Sequence, residues 1–166
     1  ICCFAQETAL KINNKMGKPT TEELNLTVYE PEPEAEAVVL YDATEAVYRW
    51  GTDDFRINYT HKTRIKILKE EGIDYANVVI TLYESSANHS NKEAMSGLKA
   101  YAYNMENGKM VKSKMGKDQV FKERINQNLT QVKFTIPQVK VGTIIEYEYD
   151  IISDFYYNLE SWEAQW

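Results

Sequence analysis

Cysteine is almost absent from this chain of 166 residues, because the only two, Cys2 and Cys3, are adjacent at the N-terminus. Two neighbouring cysteines cannot form a disulfide framework or a metal site with spaced ligands. Every position after residue 3 lacks a thiol, which excludes a cysteine nucleophile from the body of the chain. Histidine is also scarce, since only His61 and His89 occur, and a metal site needs more ligands than these. We therefore predict no catalytic, cofactor-binding or metal-binding residue.

The chain also lacks an apolar run of about 18 residues, the length at which a membrane-spanning helix is considered. We accordingly expect no transmembrane segment. Basic residues are not in excess, because the net charge is −6 and the pI is near 5.1. Nucleic-acid binding requires a basic surface, so a nucleic acid is not an expected partner. The length is that of one domain with a core of its own.

The first residues, ICCFAQ, have the pattern of the end of a secretory signal peptide. Cys3 and Ala5 are the small residues that would precede cleavage before Gln6. We predict that residues 1–5 are a signal-peptide remnant and that the protein is exported. Two alternatives stay open: acylation of Cys2 or Cys3 as in a lipoprotein, or a short apolar strand.

Alternation of apolar and polar residues predicts that most of the chain forms β-strands. The exceptions are a short helix indicated by the capping-box spacing of Thr20 and Glu23, and residues 117–124, which fit either a strand or a helical turn. Strands are predicted at 37–41 and 46–50 as a hairpin, then at 55–68, 78–83, 98–104, 109–114, 132–136, 143–152 and 161–166. The fold class is therefore all-β, a mostly antiparallel β-sandwich or bent sheet with one or two short helices.

The segment Ile136–Ser153 contains the most regular of these strands. Its apolar residues fall on one face, and Glu146, Glu148 and Asp150 fall on the other. Carboxylates two residues apart on a strand are about 6.5–7 Å apart, a spacing that an inverting glycosidase or a Ca²⁺ site could use. We favour a solvated face whose acids pair with a basic row across the sheet: Arg56, Lys62, Arg64 and Lys66.

Aromatic residues supply a second set of candidates. His61 lies on the apolar side of the strand at 55–68 and is interpreted as structural. Six aromatic residues form a candidate interface or ligand platform: Tyr101, Tyr103, Tyr156, Tyr157, Trp162 and Trp166. Core and interface packing is the commoner use of such residues. For Trp162 and Trp166, near the end of the chain, we expect burial against a further domain.

Several strings, in order, resemble a known family: PTTEELN (19–25), AEAVVLYD (35–42), RIKILKEEGIDYANVVI (64–80), LKAYAYNMENGKM (98–110), KFTIPQVKVGTIIEYEYDI (133–151) and SWEAQW (161–166). The family is the domain of unknown function that lies N-terminal to transglutaminase-like domains in secreted and cell-envelope proteins of Gram-negative bacteria. The resemblance implies a β-rich accessory domain over residues 6–166, located in the periplasm or at the cell surface. It also implies a parent protein that continues past Trp166 into a domain with a Cys-His-Asp triad, which this chain lacks.

Three functions follow as hypotheses. The first is a non-catalytic accessory domain that acts through contacts with the downstream transglutaminase-like domain or with another protein. The second is a carbohydrate- or peptide-binding module that uses surface Tyr and Trp. The third is a hydrolase that uses paired carboxylates, and it would need two of Glu146, Glu148 and Asp150 in a cleft without basic partners.

Overall fold

A computed structural model describes residues 12–51, 54–85 and 91–157. Eight strands dominate these residues, with one α-helix and two short 3₁₀ helices. In chain order they are α1 (Thr21–Asn25), β1 (Ala37–Trp50), β2 (Phe55–Ile67), a 3₁₀ helix (Glu71–Ala76), β3 (Asn77–Tyr83), β4 (Glu93–Glu106), β5 (Lys109–Lys114), a 3₁₀ helix (Lys117–Gln119), β6 (Val120–Arg124), β7 (Leu129–Thr135) and β8 (Ile144–Ser153). The predicted all-β class is confirmed. No helix among the described residues is long and apolar enough to cross a membrane.

The strands form two antiparallel sheets, a five-stranded sheet in the order β1-β2-β8-β4-β5 and a three-stranded sheet in the order β3-β7-β6. The sheets face each other across the core, in which Ile65 of β2 and Ile145 of β8 pack with Phe134 of β7. Further along, Ile57 of β2 packs with Val132 of β7. Alternate residues of β2 and β8 supply this core, as their sequence periodicity predicts.

The predicted hairpin within residues 37–50 is wrong. This segment is one continuous strand, β1, which pairs with β2 from Ala37 opposite Ile67 to Trp50 opposite Phe55, with a register shift between Val39 and Tyr41. The predicted turn is at residues 42–45, of which three are polar, but this stretch contains neither glycine nor proline. They remain in the strand because β2 offers an equally long partner.

The predicted hairpin at 98–114 is confirmed, since β4 and β5 pair from Tyr101 opposite Lys114 to Glu106 opposite Lys109. Its turn is Asn107-Gly108, both with positive φ of 51° and 74°, as a tight hairpin requires. Residues 117–124 contain both alternatives, a 3₁₀ turn followed by β6. The predicted strand at 161–166 lies outside the described residues, as do Trp162 and Trp166.

An N-terminal strap, residues 12–26, covers the second face of the five-stranded sheet. It contains α1, whose predicted capping box is present between Thr20 and Glu23. Leu24 and Leu26 of the strap pack on a small cluster of Leu40, Tyr103 and Ile144. The five-stranded sheet is therefore covered on one face by the smaller sheet and, over part of the other face, by the strap.

Candidate functional site

Two of the three acids of β8 face basic residues of β2, as the sequence predicted, and the third faces a threonine. The register places Arg64 opposite Glu146, Lys62 opposite Glu148, and Thr60 opposite Asp150. Each contact is direct: Lys62 Nζ is 3.4 Å from Glu148, and Thr60 donates a 2.7 Å hydrogen bond to Asp150.

One further lysine joins these pairs, and Arg56 of the basic row has a different partner. Lys99 of β4 adds a second cation to Glu148 at 3.0 Å. Arg56 pairs with Asp154 instead, at 2.7 Å. Because Glu146 and Glu148 both have basic partners, the acids of β8 do not form the uncompensated carboxylate pair that a hydrolase would require.

The expectation that this face is solvated is wrong for the part where β2 ends and β8 begins. Arg64 and Glu146 are 0% exposed and Lys66 is 1% exposed. The sequence of β2 and β8 could not indicate this burial, because the strap that covers these side chains is separated from both strands in the chain. A residue that the sequence analysis placed only in a helix cap, Glu23, is also 0% exposed and joins the same cluster.

We call this cluster the Arg64 network; it comprises Arg64, Glu23, Glu146, Tyr41 and Tyr103. Arg64 donates from Nε to Glu146 at 3.0 Å and from Nη1 to Glu23 at 2.9 Å. Its two terminal nitrogens also donate to the carbonyl oxygens of Asn13 and Lys15, at 2.6 and 2.9 Å. The guanidinium therefore binds the sheet and the strap at once.

Glu146 is the acceptor at the centre of the Arg64 network. It accepts hydrogen bonds from the hydroxyl of Tyr103 at 2.8 Å, from the hydroxyl of Tyr41 at 3.2 Å and from the backbone N–H of Gly17 at 2.7 Å. A buried ion pair is tolerated when its remaining donors and acceptors are also satisfied. The arrangement fits a structural anchor of the strap better than a reaction centre.

The surroundings change the titration of these groups. Burial opposes the charge of Arg64, but the hydrogen bonds and charges of Glu146 and Glu23 outweigh it and raise the pKa of the guanidinium. Burial, then the nearby charge of Glu146, raises the pKa of Tyr41 to about 12. Burial and the hydrogen bond to Glu146 also raise the pKa of Tyr103. Both tyrosines thus stay protonated donors far above neutral pH.

Lys66 has carbonyl partners in place of a carboxylate. Its ammonium donates to the carbonyls of Leu24 in α1 and Gly142 before β8, both at 2.6 Å. Burial lowers the pKa of this lysine to about 8. Lys66 therefore fastens the end of α1 to the turn that leads into β8.

His61 lies where the sequence analysis placed it, beside aromatic neighbours. Its ring stacks on Tyr149 with centroids 4.7 Å apart, and Nδ1 is 3.0 Å from the hydroxyl of Thr44. These contacts fit the structural role expected for it. His89 lies outside the described residues. Within residues 12–51, 54–85 and 91–157, no group of three His, Cys, Asp or Glu side chains is arranged to hold a metal ion.

The structure divides the predicted aromatic platform into two groups. Tyr101 and Tyr103 share a face, as predicted, with ring centroids 6.3 Å apart. They lie near the beginning of β8, and Tyr103 is fully buried in the Arg64 network, so its ring is not accessible to a ligand. Tyr156 and Tyr157 follow the other end of β8. Trp162 and Trp166 lie outside the described residues.

Tyr156 and Tyr157 belong to a larger surface, which we call the aromatic tip. The rings form a chain of contacts: Trp50–Phe55 at 4.8 Å, Phe55–Tyr156 at 6.5 Å, Tyr156–Tyr157 at 5.6 Å, Tyr157–Phe155 at 6.4 Å and Phe155–Tyr83 at 5.0 Å between centroids. Trp50 is 68% exposed and Tyr157 is 74% exposed. Phe55 and Tyr83 are 45% and 43% exposed, whereas Phe155 is 8% exposed and connects Tyr157 to Tyr83 as a buried ring. Exposed rings grouped in this way mark an interaction surface.

Sequence reasoning missed Trp50, Phe55 and Tyr83 as members of this surface. Trp50 ends β1 and Phe55 begins β2, so they flank the turn of one hairpin. Two large aromatics beside a turn at the end of a hairpin were the available signal. Their proximity to Tyr156 depends on the pairing of β2 with β8, which cannot be predicted from the sequence alone.

Comparison with known proteins places the chain in a family. Residues 53–163 match the profile of the family described as a domain of unknown function with a solved structure, DUF3857. The chain belongs to this family. The resemblance inferred from the sequence is thereby confirmed. No curated protein matches the chain.

The fold of this DUF3857 chain is also found in a solved structure. The crystal structure of a candidate protease from Parabacteroides distasonis superposes with a TM-score of 0.52 and 13% sequence identity, covering 72% of this chain. The likeness shows a shared fold. The matched part is 23% of the other protein's length.

The match to DUF3857 spans β2 to β8 and leaves out the strap and β1. It contains Arg64 and Glu146 but not Glu23. The buried Arg64–Glu146 pair therefore belongs to the domain that the family defines, and the strap supplies a second carboxylate to it from outside.

Proposed function

We propose that this DUF3857 chain is a non-catalytic accessory domain of an exported transglutaminase-like protein of the periplasm or cell surface. It acts by contacting the domain that follows it in the parent chain. The single observation that carries the proposal is the position of the aromatic tip. The last described residues, Tyr156 and Tyr157, lie among the rings of the aromatic tip, and Tyr157 is 74% exposed.

The position of the aromatic tip next to the last described residues supports a contact with a following domain. A following domain is tethered at the end of β8, so it meets the aromatic tip at a high effective concentration. Aromatic side chains contribute much of the binding energy at interfaces because each buries a large area with few rotatable bonds. The candidate protease offers a parallel, because the shared fold accounts for 23% of that longer protein.

The alternatives have weaker support. A hydrolase that uses the acids of β8 would need free carboxylates, but Glu146 is buried against Arg64 and Glu148 is held by two lysines. A carbohydrate- or peptide-binding module could use the exposed rings of Trp50 and Tyr157. Those rings lie beside the last described residues, so a domain that follows them would compete with a ligand for the same rings.

The test compares the 166-residue chain with the longer protein encoded by its reading frame. We expect slower hydrogen exchange at the peptides around Trp50 and Tyr157 in the longer protein, because the following domain covers them. Trp50→Ser and Tyr157→Ser should abolish that protection while leaving the short chain folded, since both rings are already exposed. Phe121→Ser is the matched control, because Phe121 is 66% exposed but belongs to β6, outside the aromatic tip.

Two outcomes would count against the proposal. One is a reading frame that ends at Trp166 without a further domain. The other is equal exchange at the aromatic tip in the short and long proteins. Quenching or a shift of Trp50 fluorescence by an oligosaccharide or a peptide, with no domain protection, would support the binding module instead.

A further inference from the structure

The outer edge of β1 is open along half of its length. β1 is the terminal strand of the five-stranded sheet, and residues 43–50 are all exposed. Its outward backbone N–H and C=O groups face no other strand of the described chain. Glu45, Val47 and Arg49 share one face, where β2 places Thr60, Asn58 and Arg56 opposite them. The other face carries Tyr48, which is 52% exposed.

The two outer edges of this sheet differ in how they are protected. Natural edge strands avoid pairing with other chains by being short or by carrying lysine or proline. The β5 edge has both kinds of protection, because it is six residues long and contains Lys109, Lys112 and Lys114. The exposed half of β1 has neither lysine nor proline and presents Val47 and Tyr48. The β1 edge is therefore the one suited to adding a strand.

We propose that the β1 edges of two copies of this chain pair in antiparallel fashion about a two-fold axis at Val47, which joins the two five-stranded sheets into one. A two-fold axis perpendicular to a sheet keeps each side chain on its own face. Opposed residues must then have positions that are both odd or both even, because side chains alternate along a strand. This condition excludes half of all registers.

Charge selects one of the registers that remain. An axis at Val47 places Glu45 of each copy opposite Arg49 of the other, which gives two cross-strand ion pairs with Val47 facing its own symmetry mate. Axes at Glu45 or at Arg49 would set like charges against each other, which is destabilising. Axes at Ala46 or Tyr48 leave both charges opposite uncharged residues. The charges are complementary only when the axis passes through Val47.

The surroundings of Arg49 favour the same partner. Within its own sheet Arg49 lies opposite another cation, Arg56, and Arg56 is neutralised by Asp154 at 2.7 Å. Glu45 of a second copy would arrive on the open side of Arg49 and give it a carboxylate. Pairing of one short stretch of strand buries less area than a standard interface, so the dimer is weak and depends on concentration.

The test is sedimentation velocity of the 166-residue chain from micromolar to near-millimolar concentration. We expect a reversible monomer–dimer equilibrium. Val47→Lys should weaken the dimer by roughly 10-fold or more, because it places like charges together at the axis. Val111→Lys on the β5 edge is the matched control and should change nothing, because Val47 and Val111 are 37% and 39% exposed.

Charge exchange tests the register itself. Glu45→Arg alone and Arg49→Glu alone should each weaken the dimer by roughly 10-fold, and the double variant should restore it. All these positions are exposed, so circular dichroism should report an unchanged fold. A wild-type chain that stays monomeric throughout, a double variant that remains as weak as the single ones, or equal effects of Val47→Lys and Val111→Lys would overturn the proposal. The measurement involves no downstream domain, so its result is independent of the proposed accessory function.

Discussion

Arg64 and Lys62 are two residues apart on the same face of β2, and each pairs with a glutamate of β8. Their surroundings nevertheless differ. Arg64 and Glu146 are completely buried beneath the strap, whereas the side chain of Lys62 is 39% exposed. Water screens the Lys62–Glu148 pair, but nothing other than the protein can solvate Arg64 and its partners. Burial therefore determines how much each ion pair matters.

Removal of the cation from each pair should show how much the buried pair and the exposed pair contribute to stability. Arg64→Met keeps much of the side-chain volume but leaves Glu146 and Glu23 buried without a countercharge, so we expect a loss of about 3–5 kcal/mol in the free energy of unfolding. Lys62→Met is the matched control on the same strand face and should change stability by about 1 kcal/mol or less. Urea denaturation at neutral pH measures both, and equal losses would contradict a buried anchor.

At the scale of elements, β4 contains an irregularity that explains the position of Asp150. The register between β4 and β8 shifts between Ser96 and Lys99, and Gly97 within the shift has a φ of +67°. A Cβ at this position would lie 2.6 Å from Oδ2 of Asp150. The bulge thus lets the β4 backbone approach Asp150, whose other oxygen accepts the hydrogen bond of Thr60.

Comparison of Gly97 with Gly108 tests the close contact between the β4 backbone and Asp150. Gly108 in the β4–β5 turn also has positive φ, at 74°, but an added Cβ would meet nothing within 4 Å. Gly108→Ala should cost about 1–2 kcal/mol for the left-handed backbone alone. Gly97→Ala should cost more, because Asp150 must also move. Thermal or urea unfolding compares the two variants, and a Gly97→Ala loss no larger than that of Gly108→Ala would refute the close approach.

The same scale shows why one predicted hairpin is confirmed and the other is wrong. Asn107-Gly108 identifies a tight turn by its backbone preference, and that preference is local. Residues 42–45 are mostly polar but have no such backbone preference, and β1 runs through them because β2 pairs along its whole length. Local turn chemistry is visible in a sequence, whereas the extent of a strand depends on its partner.

For the whole molecule, the change in the free energy of unfolding with pH is the sum of the contributions of groups whose pKa differs between the folded and unfolded states. Lys66 has a folded-state pKa of about 8 because of burial, below the value of about 10.4 for an unfolded lysine. Between these two values the unfolded state binds more protons than the folded state, so stability rises with pH. Tyr41, with a folded pKa of about 12, and Tyr103 act in the opposite sense, because the folded state keeps their protons. Their contribution is lost as pH rises above about 10.

Lys66→Met isolates the lysine contribution. The free energy of unfolding of wild type minus that of the variant should increase from pH 8 to pH 10.5, because the variant cannot lose this proton, while the tyrosine contributions cancel. Urea denaturation across this range provides the values. A difference that does not vary with pH would show that Lys66 titrates normally in the folded protein.

The whole molecule also presents two adjoining surfaces that share Trp50. The aromatic tip includes the residues that follow β8, and the β1 edge runs from it along residues 50 to 43. By the two proposals, the tip would contact a following domain, and the edge would pair with a second copy through its backbone groups and the charges of Glu45 and Arg49. The edge belongs to the five-stranded sheet, whereas the tip also includes Tyr83 of β3 in the three-stranded sheet.

The sequence by itself determined the all-β class, the cap of α1, the β4–β5 hairpin, the inward faces of β2 and β8, and the ion pairing of their outward faces. It also determined the family. These features depend on side-chain periodicity and on local backbone preference, and both are properties of residues that are close together in the sequence. Only the tertiary structure decided that Glu146 and Arg64 are buried, that Glu23 joins them, and that Trp50 meets Tyr156. Each of those facts requires distant segments to pack together, and the free energy of that packing is a property of the assembled sheets and strap.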